Sequence, residues 1–214
     1  MRLVEMTVTD FLGELGSDSP APGGGSAAAL TGAVAAALSG MVCRLTVGKE
    51  KYRESWPVIE AARGEAARLG SLLARLVEED AEALRAVVAA RGLPGGTDAE
   101  KHARQAALQA ATLRSAQAPM ETLSALCECA HVVELLLQHG NPSCMTDAGS
   151  AGALAGAAAL AAAWNVRVNL PSIRDAPLRA SLASRAAGKL ADARQTAARI
   201  EAEVDRRLAE RGGS

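Results

Sequence analysis

From Ala21 to Cys43 the chain carries no charged residue, and from Ala148 to Trp164 it again carries none. Both stretches are mostly Ala, Gly, Ser and Thr, and the first has only Leu30, Val34, Leu38, Met41 and Val42 as large apolar groups. Side chains this small bury little volume, so they hold a fold together only where backbones approach closely, as helices with Ala and Gly faces do. Small residues recur at Ala28, Gly32, Ala36 and Gly40, and again in Gly152-x-x-x-Gly156; four-residue spacing puts each set on one helix face. The lack of charge imitates a membrane span, but the small-residue composition and the amphipathic character of the other helices point to two buried helices of a soluble bundle. Strand formers are thin, with only Phe11, Tyr52, Trp56 and Trp164 as aromatics and 49 Ala among 214 residues. This excludes an all-β fold and predicts an all-α one, in a single domain over residues 1–214.

Punctuation divides the chain into seven helices. Thr7-x-x-Asp10 opens a short one to about Leu15. Ser17 to Gly25 is a loop, and Ser26 is the expected cap of the first apolar helix, running to about Val47. Pro57 suits the first turn of a long helix to Ala90 or Arg91, ended by Gly92-Leu93-Pro94-Gly95-Gly96. Thr97-x-x-Glu100 reads as a capping box for a helix to about Ala116. Pro119 begins another, stopped at Gly140. The second apolar helix follows Asn141-Pro142 and ends near Leu170, and a last helix covers about Asp175 to Glu210. Its residues Leu190, Ala193, Ala197, Ile200, Val204 and Leu208 step by three and four, a coiled-coil-like seam that suits packing on the bundle or on a second copy equally.

Charge excludes little else. With 23 basic and 24 acidic residues the net charge is −1, so no electrostatic footprint for nucleic acid exists. Residues 1–15 lack the basic-then-apolar order of a signal peptide. Cys43, Cys127, Cys129 and Cys144 form no disulfide framework in what reads as a cytoplasmic chain. Cys127 and Cys129, two apart on a helix, face apart and cannot chelate together, and His139 and Cys144 straddle a Gly-Asn-Pro break, so no metal site is expected.

The residue most at odds with its surroundings is Asp80. It falls on the apolar stripe Leu69, Leu73, Leu76, Leu84, Val87, where a carboxylate costs several kcal/mol unless it is paired, hydrogen-bonded or facing a polar cavity. A satisfied core Asp and a functional one fit equally well at this point. Asp147 stands in the first turn of the second apolar helix, where an Asp also simply complements the helix dipole. Arg167 suits a bidentate carboxylate clamp or a bridge to Asp175. Gly23 to Ala28 formally satisfies G-x-G-x-x-A, yet no strand precedes it, so it is no dinucleotide fingerprint. What survives is a helix N-terminus with bare amides, suited to an anionic or polar group.

Five blocks, taken together and in order, carry a resemblance. They are Ser19-Pro20-Ala21-Pro22-Gly23-Gly24-Gly25-Ser26-Ala27-Ala28-Ala29-Leu30; Leu45 to Tyr52; Glu79-Asp80-Ala81; Gly140-Asn141-Pro142 with Asp147-Ala148-Gly149; and Asn165 to Ser172. The chain resembles the formiminotransferase-cyclodeaminase C-terminal domain family over most of its length. The resemblance implies an all-helical homodimer acting on the one-carbon bridge of tetrahydrofolate. The reaction is then that of a formiminotetrahydrofolate cyclodeaminase, releasing ammonia to give 5,10-methenyltetrahydrofolate, or of a methenyltetrahydrofolate cyclohydrolase, giving 10-formyltetrahydrofolate. On that reading no metal, nucleotide or other cofactor beyond the folate is needed, and the charge balance and composition above add no nucleic-acid or membrane partner. A folate-binding or interaction module without catalysis is the alternative. Two positions depart from the family pattern: Ser143 replaces a second Asn after Pro142, and Leu84 stands where an aromatic residue often follows Asp80.

On this reading Asp80 is the proton shuttle, with Asp147 anchoring the pterin edge or sharing the proton work, and Lys51 holding the folate glutamate. Pro22, Gly23, Gly24, Gly25 and Ser26 let the ligand approach backbone amides, Asn141 and Asn169 position polar edges, Arg167 is a candidate carboxylate clamp, and Tyr52 is the ring left to stack a pterin.

Overall fold

Six α-helices account for most of residues 2–212, the residues described in this computed structural model: α1 Val8–Leu15, α2 Gly24–Arg44, α3 Trp56–Arg91, α4 Asp98–His139, α5 Met145–Asn169 and α6 Ala176–Gly212. Short 3-10 turns at Leu3–Glu5, Glu50–Ser55, Pro142–Cys144 and Leu170–Ser172 join them, and no strand occurs among the described residues. Several boundaries follow the expected caps. Asp10 N–H donates to Thr7 Oγ1 at 3.1 Å, and Thr97 and Glu100 complete the capping box of α4.

The expected break at Pro119 does not occur. α4 continues through it for 42 residues, so there are six helices where seven were expected. A proline inside a helix frees the carbonyl four residues back, here Ser115, because it has no N–H to donate. Asn169 on α5 fills the gap, its Nδ2 donating to the Ser115 carbonyl at 3.0 Å. The helix survives because its missing hydrogen bond comes from a neighbouring helix.

α2, α3, α4 and α5 form an up-down-up-down bundle in which each packs on the next, and α6 lies in the outer groove between α4 and α5. The core is built largely from Ala, with Ile59, Leu69, Leu73, Leu76, Leu123, Leu126 and Val133 as its fully buried large side chains. Close approach is enforced by glycine. A Cβ on Gly32 would meet Leu126 at 2.6 Å, and Cβ atoms on Gly149, Gly152 and Gly156 would meet Val204, Ile200 and Ala197 of α6 at 2.8, 2.7 and 2.9 Å. The two small-residue faces therefore do not pack on each other: that of α2 turns to α3 and α4, that of α5 to α6. The α6 seam is thus occupied within the chain from Ala193 to Val204, leaving Leu208 exposed.

α2 and α5 are long and apolar enough to cross a membrane, and each has one side packed inside the bundle. They are not buried all round as expected. Val34, Trp164 and Val168 are 46%, 57% and 71% exposed. All four cysteines are free and buried, and burial pushes the thiols of Cys43, Cys127 and Cys129 up to about 11.

Candidate active site

Gly23 is the N-cap of α2 and offers no side chain to its first amides. Ser26, expected as the cap, lies inside the helix and is fully buried. The cap comes from another helix. Asp80 of α3 accepts the Ser26 hydroxyl on Oδ2 at 2.9 Å and a backbone bond from Ser26 as well. The same hydroxyl lies 3.1 Å from the Val77 carbonyl.

Space at this contact is minimal: a Cβ on Gly25 would sit 2.5 Å from Asp80 Cγ, and one on Gly24 would sit 3.3 Å from Asn165 Nδ2. Burial raises the Asp80 carboxyl above the ordinary carboxylate range, and the Ser26 hydrogen bonds pull it back only in part. The stripe on which Asp80 stands leaves the bundle at this point. Leu76 is fully buried, whereas Leu84, expected to be buried with it, is 36% exposed. Beyond, Val87 and Ala90 pack with Ala111 in a small core of their own.

α5 ends beside the start of α2. Asn169 donates from Nδ2 to the carbonyls of Ser115 and Asn165, so its amino group is spent on the fold and only Oδ1 is left for a ligand. Ser115 Oγ is buried with no hydrogen-bond partner among the described residues. Arg167 is exposed and has no ion pair among the described residues. Asp175, its expected partner, instead caps α6 by accepting the Leu178 amide at 2.9 Å.

The other expected residues gather at the opposite end of the bundle. Asn141 is 5% exposed and locks that end together. Its amide donates to Thr46 Oγ1 at 2.9 Å, its Nδ2 to the Leu45 carbonyl at 3.1 Å, and its Oδ1 accepts the Tyr52 hydroxyl at 2.8 Å and the Ser143 amide at 3.1 Å. It is a strut more than a free ligand group. Lys51 is exposed, with Nζ 4.6 Å from the Tyr52 ring centre. Asp147, half-buried in the first turn of α5, raises the Cys144 thiol, after desolvation, by its charge.

The two groups lie apart by the length of α2, about 30 Å for 21 residues at the ~1.5 Å rise of a helix. The chain thus brings together Pro22–Ser26, Asp80 and Asn169, and it brings together Lys51, Tyr52, Asn141 and Asp147, but not the two sets, and Arg167 joins neither, being turned to α6 beside Ala183, Ala187 and Leu190. Asn165 and Ser115 were not expected at the site. A lone Asn four residues before Asn169 was a readable signal, whereas nothing local marks Ser115.

The sequence profile described as formiminotransferase-cyclodeaminase matches residues 7–188. The chain belongs to the formiminotransferase-cyclodeaminase family. Within this family it is 38% identical over 169 residues to a methenyltetrahydrofolate cyclohydrolase of Methylorubrum extorquens, covering 79% of this chain and 81% of that one. It is 29% identical over 212 residues to the formimidoyltransferase-cyclodeaminase of Rattus norvegicus, covering 96% of this chain but 38% of that longer protein. The crystal structure of formiminotetrahydrofolate cyclodeaminase from Thermotoga maritima superposes with a TM-score of 0.86 at 25% identity, covering 95% of this chain and 98% of that one. The helical architecture of the family member described here is therefore shared across chains that differ in most of their residues.

Proposed function

We propose that this chain is an enzyme of tetrahydrofolate one-carbon metabolism that opens or closes the bridge between N5 and N10. In the cyclohydrolase direction water adds to the methenyl carbon, and the C–N5 bond breaks as N5 takes up a proton, leaving 10-formyltetrahydrofolate. In the cyclodeaminase direction N10 attacks the formimino carbon and ammonia departs with a proton. Both need a group that gives and takes a proton, a task for which a carboxyl raised above its ordinary value is better suited than a free one.

The observation that carries this reading is Asp80, a part-buried carboxyl raised by desolvation and held at the first turn of α2 by Ser26. Ser26 orients it, Gly24 and Gly25 leave backbone open for a polar substrate edge, and Asn169 Oδ1 and Ser115 Oγ are the nearby groups left for a ligand. The similarity to a methenyltetrahydrofolate cyclohydrolase supports hydrolysis, and the likeness to a formiminotetrahydrofolate cyclodeaminase supports ammonia release. The reading also makes the protein a cytoplasmic homodimer and calls on no metal or nucleotide.

The test is to supply each substrate in turn, following loss of the near-ultraviolet absorbance of 5,10-methenyltetrahydrofolate and ammonia release from the formimino compound. Acceleration of one or both is expected, lost in Asp80→Asn with intact folding. No acceleration of either overturns the enzyme and leaves the binding module. Full activity in Asp80→Asn overturns the role of Asp80 alone.

A further inference from the structure

We propose that the trough between the C-terminal end of α5 and the first half of α6 is a binding site for an organic carboxylate with an apolar body, its carboxylate held between Arg167 and Arg194. The trough shares no residue with the Asp80 site, so this stands apart from the folate reading.

The trough follows from the register of the two helices. α5 and α6 run antiparallel, with Gly149 against Val204, Gly152 against Ile200 and Gly156 against Ala197. The same register sets Ala163 opposite Leu190 and Arg167 opposite Ala186. Past Gly156 the facing positions on α5 carry side chains, and the two helices enclose a cavity of about 440 Å³. Its floor is apolar, built from Ala163, Leu170, Ala183, Ala187 and Leu190, and Arg167 and Arg194 flank it.

Neither guanidinium has an answering charge. No residue three or four positions from either one is charged, and no acidic residue lines the cavity. Asp192, two residues before Arg194, is turned to α4 and lies 3.4 Å from His131. Elsewhere the exposed arginines of α3 and α6 are answered, as in Arg75–Glu79, Arg199–Glu134 and Arg206–Glu203. Two arginines on one apolar trough with no ion pair among the described residues leave room for an anion from outside.

Direction makes the two act on one group. Helical side chains lean toward the N-terminus of their own helix. Because α5 and α6 are antiparallel, Arg167 leans toward Arg194 and Arg194 leans toward Arg167. About eight residues of register separate them, ~12 Å at the ~1.5 Å rise of a helix, a gap that two arginine side chains close from its two ends. A guanidinium fork matches a carboxylate. The floor beneath asks for an apolar chain or ring, since a bare anion leaves Leu170 and Leu190 in water. Past Arg194 the groove meets Glu201 and Asp205, which keep a carboxylate from sliding that way.

The test is displacement of anilinonaphthalene sulfonate, an apolar anion that fluoresces when it leaves water. Three competitors are compared: dodecanoate, dodecanol with the same chain and no charge, and acetate with the charge and no chain. Dodecanoate is expected to compete at least about tenfold better than either. Arg167→Gln and Arg194→Gln each weaken dodecanoate about tenfold, the loss of one charge-assisted pair. Ala187→Trp fills the trough, leaves both arginines in place and abolishes displacement. All three positions are exposed, and an unchanged urea midpoint confirms that each variant is folded. Dodecanol that competes as well as dodecanoate overturns the proposal, because the trough is then only greasy. So does a dodecanoate affinity unchanged in both arginine variants or in Ala187→Trp, and so does a wild type that binds neither the dye nor dodecanoate. Folate turnover has no part in the readout, so failure here leaves the folate reading untouched.

Discussion

The backbone of Gly25 lies so close to Asp80 that a methyl group on its Cα would stand 2.5 Å from Asp80 Cγ. The carboxyl cannot retreat, because Ser26 holds it from the helix that carries Gly25. Gly25→Ala therefore displaces the carboxyl or opens the α2–α3 contact, at a cost of about 1–3 kcal/mol for an overpacked site. A fall in turnover of about tenfold is expected, each 1.36 kcal/mol of lost transition-state stabilisation being tenfold in rate. Unchanged turnover with an unchanged urea midpoint would refute the contact.

The raised Asp80 carboxyl has a consequence for stability against pH. A carboxyl that binds its proton more tightly folded than unfolded contributes stability that is full below the unfolded value, about 3.9. That contribution is lost as pH rises through the folded value. Asp80→Asn does not titrate and keeps an amide oxygen for Ser26. Relative to wild type it gains stability between pH 4 and pH 7, while losing activity. Urea midpoints of both proteins at the two pH values measure this, and a gap independent of pH would count against the raised carboxyl.

Asn169 and Pro119 are coupled through a third group, the Ser115 carbonyl. Asn169→Ala leaves that carbonyl unpaired, costing about 1–3 kcal/mol. In a Pro119→Ala background the restored N–H of residue 119 takes the carbonyl, and the same Asn169→Ala costs less. A double-mutant cycle by urea denaturation is expected to give a coupling of about 0.5–3 kcal/mol, and strict additivity would contradict the assignment.

Cys43, Cys127 and Cys129, with thiols pushed up to about 11 by burial, are expected to be inert to an aromatic disulfide reagent at pH 8 and to react at the rate of unfolding. All four cysteines titrate in denaturant. Rapid reaction of more than one thiol in the native protein would show that the core opens locally.

What was legible in the chain was local. Thr7, Thr97 and Gly140 gave helix ends because a cap acts within four residues of itself. Asp80 stood out because one carboxylate interrupts a stripe of leucines. Pro119 misled because its compensation comes from Asn169, and Ser26 misled because α2 is capped by Asp80; both partners lie 50 or more residues away in sequence and on another helix. The candidate site was legible as residue types and not as a place. Its blocks sit at helix ends, and antiparallel packing sends the block at Gly24 and the block at Asp147 to opposite ends of α2.

The row Gly149, Gly152, Gly156 beneath Val204, Ile200 and Ala197 also changes which substitutions the chain can accumulate. In a core of large side chains the harmful step removes atoms and leaves a hole. Along this seam the harmful step adds them, since even one carbon on Gly152 meets Ile200 at 2.7 Å. Drift at these positions is therefore one-sided. α6 can lose bulk and later regain it, but α5 can grow only after α6 has shrunk, so the order in which mutations arrive decides which of them survive.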